Sequence, residues 1–355
     1  MLGFKSKKTA TDQLIPEGGP NRRTTLTKVH PIHFPRHRSE QKNGGKAPSQ
    51  AGPLERKTTP SRPHRIDTIA PEVAEEIRRR LIDQETAFQQ KSAGKTFSSL
   101  WAHSCRVGQI ARRIARMEGW DEELSLLSGL LHDVGKFAFG THHDGDIPEE
   151  RNAVRFLESL LSGTPYERWI SEIRQAVLST YLDGDPTNDL GRAVYDADCL
   201  DKLGNMGVVQ FFVKKALRRS FLDNDMMIRT SIELTYAHHA PHILKTATGR
   251  SLALDRSLRT RRFYIELLEE WAELGLGEFT IVEEEIAGIE CIFVAPTQCS
   301  CGGEVSLESD ILDSVKCRSA FVTHRCDACG LEKTYSFCLP NINGLPPRPR
   351  PHGAA

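Results

Sequence analysis

The stretch that decides the fold is Leu130-Leu131-His132-Asp133-Val134-Gly135-Lys136, an apolar run ending on an adjacent His-Asp pair that is followed by Gly-Lys. Leu124, Leu127, Leu130 and Leu131 recur at three- and four-residue spacing, the period of a buried helix. An imidazole and a carboxylate side by side at the end of such a helix can bind one divalent cation, and the glycine lets a substrate phosphate come close. Two flanking segments strengthen the reading. Upstream, Trp101-Ala102-His103-Ser104-Cys105-Arg106-Val107 sets His103 on the inward side with Val107 and Ile110. Downstream, Tyr195-Asp196-Ala197-Asp198-Cys199-Leu200-Asp201 carries Asp198 three residues before Asp201, so both can face one cavity. His103, then His132-Asp133, then Asp198, each on its own expected helix, make up the ligand set of a metal site in an all-helical bundle. The bland alternative, core histidines and helix-capping acids, does not account for this order.

The mixed nitrogen and oxygen set of His103, His132, Asp133 and Asp198 suits manganese, magnesium, iron, cobalt or nickel better than a structural zinc. A cation held there would lower the pKa of a bound water and neutralise charge building on a phosphoryl group. Asp133 would also orient or deprotonate that water. Arg106 and Lys136 would stabilise phosphate charge, and Asp201 would support the centre from behind the ligands.

The bulk numbers bound the class. The chain has 355 residues, 39% of them hydrophobic, enough for one sizeable core with appendages. Lys+Arg and Asp+Glu both total 47, so no global field favours nucleic acid or a membrane surface. Locally the balance fails: residues 1–65 hold fourteen Lys/Arg against four Asp/Glu, and they are rich in Pro, Gly, Ser and Thr without periodic pattern. They read as a disordered basic arm. No run of about 18 apolar residues is present to span a bilayer, and Met1–Lys8 has charge but no apolar core of a secretory signal. Nine cysteines, four of them in close pairs, suit metal binding in a reducing cytoplasm.

Pro71 with Glu72 and Glu75 opens a helix. From Leu100 to Leu274 the pattern stays helical, with later helices expected over 149–162, 167–182, 190–218, 227–240 and 251–274. Between Glu278 and Ala295 strand-formers cluster around Gly288, which predicts a hairpin leading into a small β module. The Pro-Arg tail over 341–355 reads as extended and disordered.

With these residues in view, the chain resembles the HD-domain superfamily of metal-dependent phosphohydrolases over roughly residues 98–275. Thr246-Ala247-Thr248-Gly249-Arg250-Ser251-Leu252-Ala253-Leu254-Asp255-Arg256 and the block 196–204 are similar to the bacterial branch related to YpgQ and YedJ. The resemblance implies a mainly α fold with the HD helical bundle over 66–275. It further implies His103, His132, Asp133 and Asp198 as metal ligands, and removal of pyrophosphate from a nucleoside triphosphate as the reaction. Gly135-Lys136 is more typical of other HD branches. His142-His143-Asp144-Gly145 invites comparison with HD-GYP phosphodiesterases, but Gly-Tyr-Pro is absent and the pair follows His132-Asp133 too closely. A proton-donating or substrate-contacting role for His142 or His143 stays open.

Cys299-Ser300-Cys301-Gly302-Gly303 and Cys326-Asp327-Ala328-Cys329-Gly330 form two knuckles far enough apart for two strands between them. Four thiolates so arranged can close a tetrahedral zinc site. The module over 276–340 resembles a zinc ribbon, with a first knuckle one residue short, and with Cys317, His324 and Cys338 as substitute ligands. The expected activity is hydrolysis of a nucleotide-like phosphate ester or anhydride. No base-reading motif chooses among nucleotides. The competing reading is a signalling or interaction module on an HD scaffold, binding RNA or protein through the arm and ribbon.

Overall fold

A computed structural model describes residues 68–91, 99–138, 149–180, 185–217, 221–286, 289–313 and 318–338. The basic arm over 1–65, His142, His143, Cys317 and the 341–355 tail lie outside the described residues. Helices occupy the described chain up to residue 273, and antiparallel strands follow. Among the described residues no helix is long and apolar enough to cross a membrane.

Helix α1 (Pro71–Lys91) starts at its proline and buries Val73, Ile77 and Leu81, spaced by four, while Glu75–Arg78 and Glu76–Arg79 pairs line its outer face. Helix α2 (Leu100–Glu118) is capped by the Ser99 side chain, which accepts from the Ala102 amide, and α3 (Glu122–Leu131) by Asp121, which accepts from Leu124. The two helices cross at backbone distance. A Cβ added to Gly129 would stand 2.6 Å from the Gly108 Cα, so neither helix can carry a side chain at the crossing. Around this pair pack α4 (Glu149–Leu161), α5 (Ile170–Leu178) after a 3-10 turn at Glu167–Trp169, and α6 (Asp189–Asp201).

Two expected helices divide. The stretch 190–218 becomes α6 and α7 (Gly204–Leu217), because Gly204 adopts φ 70° and turns the chain. The stretch 227–240 becomes α8 (Asn224–Arg229) and α9 (Ser231–Ile243). At that break the Thr230 and Ser231 hydroxyls donate to the carbonyls of Met227 and Ile228, three residues back, in competition with regular helix continuation. Helix α10 (Ala247–Glu273) starts four residues before the expected 251, at a Thr246 cap, and α5 stops at Leu178, short of the expected 182.

The hairpin of β1 (Phe279–Ile286) and β2 (Ile289–Pro296) stands where the pattern around Gly288 placed it. Strand β2 is buried on both faces. Cys291, Phe293 and Ala295 pack with Leu307, Ala320 and Val322 of the following sheet, whereas Ile292 and Val294 pack with Phe211, Leu234, Tyr264 and Leu268 of the helices. Its edge is satisfied by α9: the Ile292 amide donates to Thr235 Oγ1 at 2.9 Å and the Val294 amide to Ser231 Oγ at 2.9 Å. Strands β3 (Val305–Asp313), β4 (Arg318–Cys326) and β5 (Glu332–Cys338) form a separate antiparallel sheet in the order β3-β4-β5.

The glycine contact gives a direct test. Gly129→Ala pushes a methyl into the α2 backbone and should cost about 2 kcal/mol through overpacking, read as a lower urea midpoint at unchanged m-value. A variant as stable as the parent would mean that the helices do not touch at this point.

Candidate metal centre

The close approach of α2 and α3 puts His103, in the first turn of α2, beside His132, directly after α3, with ring centroids 5.2 Å apart. The third helix of the site, α6, brings Asp198. Ligand-type atoms of His103, His132 and Asp198 all lie within 4.8 Å of one another. Asp133 joins them: its Oδ2 is 3.5 Å from His103 Nε2 and 3.6 Å from His132 Nε2, and Asp198 Oδ1 is 3.5 Å from His103 Nε2. Donors sharing one ion at about 2.1 Å from each lie about 3–4 Å from one another, so the spacing fits a single divalent cation.

Both imidazoles are fixed in the tautomer a metal needs. His132 Nδ1 donates to the Gly129 carbonyl at 2.8 Å, which leaves Nε2 as a bare lone pair, buried and without a hydrogen-bond partner. His103 Nδ1 lies 2.9 Å from Asp201 Oδ2; a carboxylate only accepts, so the proton sits on Nδ1 and Nε2 faces the centre. Asp201 itself is shut in. Its carboxylate also accepts from Arg106 Nε at 2.8 Å, Arg106 Nη2 at 3.0 Å and Gln210 Nε2 at 3.1 Å. The Arg106 fork is thus engaged on Asp201, and Lys136 donates to Asp133 Oδ2 at 2.6 Å.

Charge in the centre is balanced residue by residue. Burial works against ionised Asp133, but Lys136 and the two imidazoles outweigh it and hold the carboxyl well below its usual range. At Asp198 burial is likewise overcome, mainly by Lys202, and the pKa falls to about 2. Burial keeps His132 neutral by lowering its pKa. For His103, burial lowers the pKa but the Asp133 and Asp201 partners raise it more. Asp201 is held low against burial by His103 and Arg106.

Several functional neighbours escaped the sequence reading. Lys202 donates to Asp198 Oδ2 at 2.8 Å, and Gln210 reaches back from α7 to Asp201. Glu150, at the start of α4, is raised in pKa by burial and by the Asp133 charge. Lys202 stands four residues after Asp198, the ordinary helical pairing distance, and was the one legible from spacing. Gly135, expected to admit phosphate, instead meets α4, because a Cβ there would stand 2.2 Å from the Ala153 amide nitrogen.

The segment 246–256 builds scaffold. Buried Asp196 accepts from the Lys245 and Thr246 amides and the Thr246 hydroxyl; Thr246 caps Gly249, whose missing Cβ leaves room for the Asp196 carboxylate. Arg256 Nη1 donates to the Leu200 carbonyl at 2.6 Å. These contacts tie α10 to α6, the helix that carries Asp198.

A family model described as HD domain matches residues 100–203, the span from the start of α2 to the end of the Asp198 helix. Solved structures similar to the chain include a predicted HD superfamily hydrolase from an uncultured Thermotogales bacterium (21% identity, 56% of this chain and 91% of that one, TM-score 0.39). Bacillus subtilis YpgQ in complex with ADP is similar at 19% identity over 55% of this chain and 96% of its own, TM-score 0.39. An HD-superfamily hydrolase from Bacillus thuringiensis is similar at 20% identity over 56% and 98%, TM-score 0.39. No curated protein sequence matches the chain.

Beyond the matched residues the four cysteines converge. Cys301 Sγ lies 3.5 Å from Cys326 Sγ and Cys299 Sγ 3.7 Å from Cys329 Sγ, and all four sulfurs fall within 4.8 Å of one another. Sulfurs about 2.3 Å from one tetrahedral ion stand about 3.8 Å apart. The amide of Cys301 pulls the Cys299 thiol down to about 6, towards thiolate at neutral pH. The described cysteines form no disulfide. His324 lies outside this sulfur group, on β4 against Tyr335.

Asp201 offers a test of the support behind His103. Its pKa is depressed on folding, so its stabilisation is complete above the ordinary carboxylate range of about 3.9 and is lost as pH falls towards the folded value. Asp201→Asn strands the Arg106 charge and should cost about 3 kcal/mol at pH 7. It should also flatten the loss of stability between pH 5 and pH 3. Denaturant titrations at both pH values check this, and an unchanged pH slope would contradict it.

Proposed function

We propose that the chain is a metal-dependent phosphohydrolase acting on a nucleotide-like phosphate ester or anhydride, with nucleoside triphosphate pyrophosphohydrolysis as the specific reaction. The observation that carries this reading is His132 Nε2: a buried lone pair with no partner, its tautomer set by Gly129, aimed among His103 Nε2, Asp133 and Asp198. A buried nitrogen left unsatisfied costs about 1–3 kcal/mol, a cost a bound cation would offset. His103, His132, Asp133 and Asp198 would hold the cation, with manganese, magnesium, iron, cobalt or nickel suited to the mixed donors. When bound, it would supply Lewis acidity and an activated water.

The chain's own groups do the rest. Asp133 keeps one oxygen on Lys136, which orients its carboxylate and leaves it ionised to accept a proton near neutral pH. Lys136 donates to Asp133 Oδ2, the oxygen that also faces the imidazoles, and Lys202 to Asp198 Oδ2, so each ammonium would be close enough to share an incoming phosphate oxygen. Arg106 holds Asp201, and Asp201 holds His103, so in this reading the pair acts on orientation and on the charge of the centre. The cysteine cluster would hold a structural zinc in a closed shell. Proton donation by His142 or His143 is not needed for this assignment.

Replacing His132 with Ala, or Asp133 with Asn, should abolish manganese-stimulated phosphate or pyrophosphate release across a nucleotide panel and lower manganese content while helical circular dichroism persists. Retention of parental turnover at saturating manganese would rule out the centre. Mild chelation should silence turnover and leave one zinc per chain. Cys326→Ser with Cys329→Ser should remove that zinc and unfold β3–β5 while the helices still bind manganese, as elemental analysis before and after chelation would report.

A further inference from the structure

A second polar feature belongs to neither of the two ligand clusters. His324 on β4 is only 6% exposed, yet neither ring nitrogen has a hydrogen-bond partner. Buried polar groups in folded proteins are nearly always satisfied, so an imidazole bare on both sides marks a place where water or a ligand belongs. The ring is held by Tyr335, centroids 5.2 Å apart, and the Tyr335 hydroxyl donates to Asp225 Oδ1 at 2.9 Å. Tyr335 cannot turn to serve His324 without giving up that bond.

His324 lines a cavity of about 50 Å³ where α7, α8, α9, β2, β4 and β5 meet, at the seam between the helical core and the cysteine-bearing sheet. Ile232, Phe293 and Val322 wall it with apolar surface, and Lys215 and Arg229 supply its charged groups. The Ser231 hydroxyl, also at the wall, is already used, donating to Ile228 and accepting from Val294. No acidic side chain lines the space among the described residues. Arg229 is exposed and lies over the Tyr335 ring at 5.9 Å from its centroid. Burial, with Lys333 adding to it against Asp225, pushes the His324 pKa down to about 4, so at neutral pH the ring offers one donor and one acceptor.

These features select a ligand chemistry. The cationic groups call for an anion, while the apolar walls would desolvate a fully charged oxyanion such as phosphate at high cost with a single N–H to compensate. At about 10–15 Å³ per water-sized sphere, the space takes a group of roughly three to five such spheres. We propose that this cavity is a binding site for a short-chain organic monocarboxylate, its carboxylate accepting from His324 and facing Lys215 and Arg229, its alkyl part against Ile232, Phe293 and Val322. Water completes the second ring nitrogen. The site is independent of the phosphohydrolase reading, since occupancy is measured without turnover.

The test uses the full chain with 13C-labelled histidine. His324→Gln assigns the His324 signal, and contacts to the Tyr335 ring in nuclear Overhauser spectra assign it should that variant not fold. Isobutyrate is titrated in one arm and inorganic phosphate at equal ionic strength in the other. The expected result is a saturable His324 shift at millimolar isobutyrate, no saturable shift with phosphate, and at least fivefold weaker isobutyrate binding in Arg229→Gln, whose exposed side chain can be changed without disturbing the fold. Absence of a saturable isobutyrate shift, which would leave water as the ring's partner, overturns the proposal. So does an equal response to phosphate, or an Arg229→Gln variant that binds isobutyrate as tightly as the parent.

Discussion

The contact of α2 with α3 at Gly108 and Gly129 sets the distance on which the helical body depends. Two helices with side chains at their crossing stand about 8–10 Å apart, whereas here the backbones meet with no room for a Cβ. That shortening brings a histidine from the first turn of α2 beside one that follows α3, though 28 residues of chain separate them in sequence. Had the crossing been wider, His103 Nε2 and Asp133 Oδ2 could not stand 3.5 Å apart. The third helix is fixed to the same pair by the Asp201 carboxylate, which accepts from His103 and Arg106 of α2 while sitting on α6.

The centre concentrates charge that a hydrophobic interior would ordinarily reject. Replacing such groups by well-packed apolar residues is often neutral or stabilising, so their presence calls for a reason beyond stability. The three carboxylates differ in what they have left to give. Asp201 receives four hydrogen bonds, from His103, Arg106 and Gln210, and has no further capacity facing the centre. Asp198 gives Oδ2 to Lys202 and turns Oδ1 towards His103, whereas Asp133 Oδ2 both accepts from Lys136 and faces the two imidazoles. Asp201 is therefore built as a support, and Asp133 and Asp198 as groups able to accept another partner.

Much of this was legible in the sequence, and what was not has physical causes. The period-3.6 leucines placed α3, and the order of His103, His132-Asp133 and Asp198 singled out residues that the fold gathers. The break at Gly204 was not legible, because a glycine inside an apolar helical pattern reads equally as a tolerated residue until φ is known. The 246–256 segment stood out by its resemblance to a branch of the HD-domain superfamily, but its purpose was not legible. Only the buried Asp196 carboxylate, fifty residues away in sequence, explains why Thr246 and Gly249 are required. Gly135 misled in the same way: nothing local says that α4 passes across it. Gln210 was invisible for a similar reason, since an isolated glutamine carries no pattern.

Strand β2 was readable as a strand but not as a joint. Its period-2 alternation sends Cys291, Phe293 and Ala295 to the cysteine-bearing sheet and Ile292 and Val294 to the helices. A slip of one residue would exchange the two sets and present each core with side chains of the wrong volume. The bonds from Thr235 and Ser231 to the β2 backbone oppose that slip, because they engage the amides of Ile292 and Val294, two residues apart on one edge. Among the described residues, the sheet beyond contributes Leu307, Ala320 and Val322 to the core shared with β2. It therefore depends on two attachments, the four sulfurs at one end and the face of β2 along its side. Loss of either would leave the other to hold the three strands.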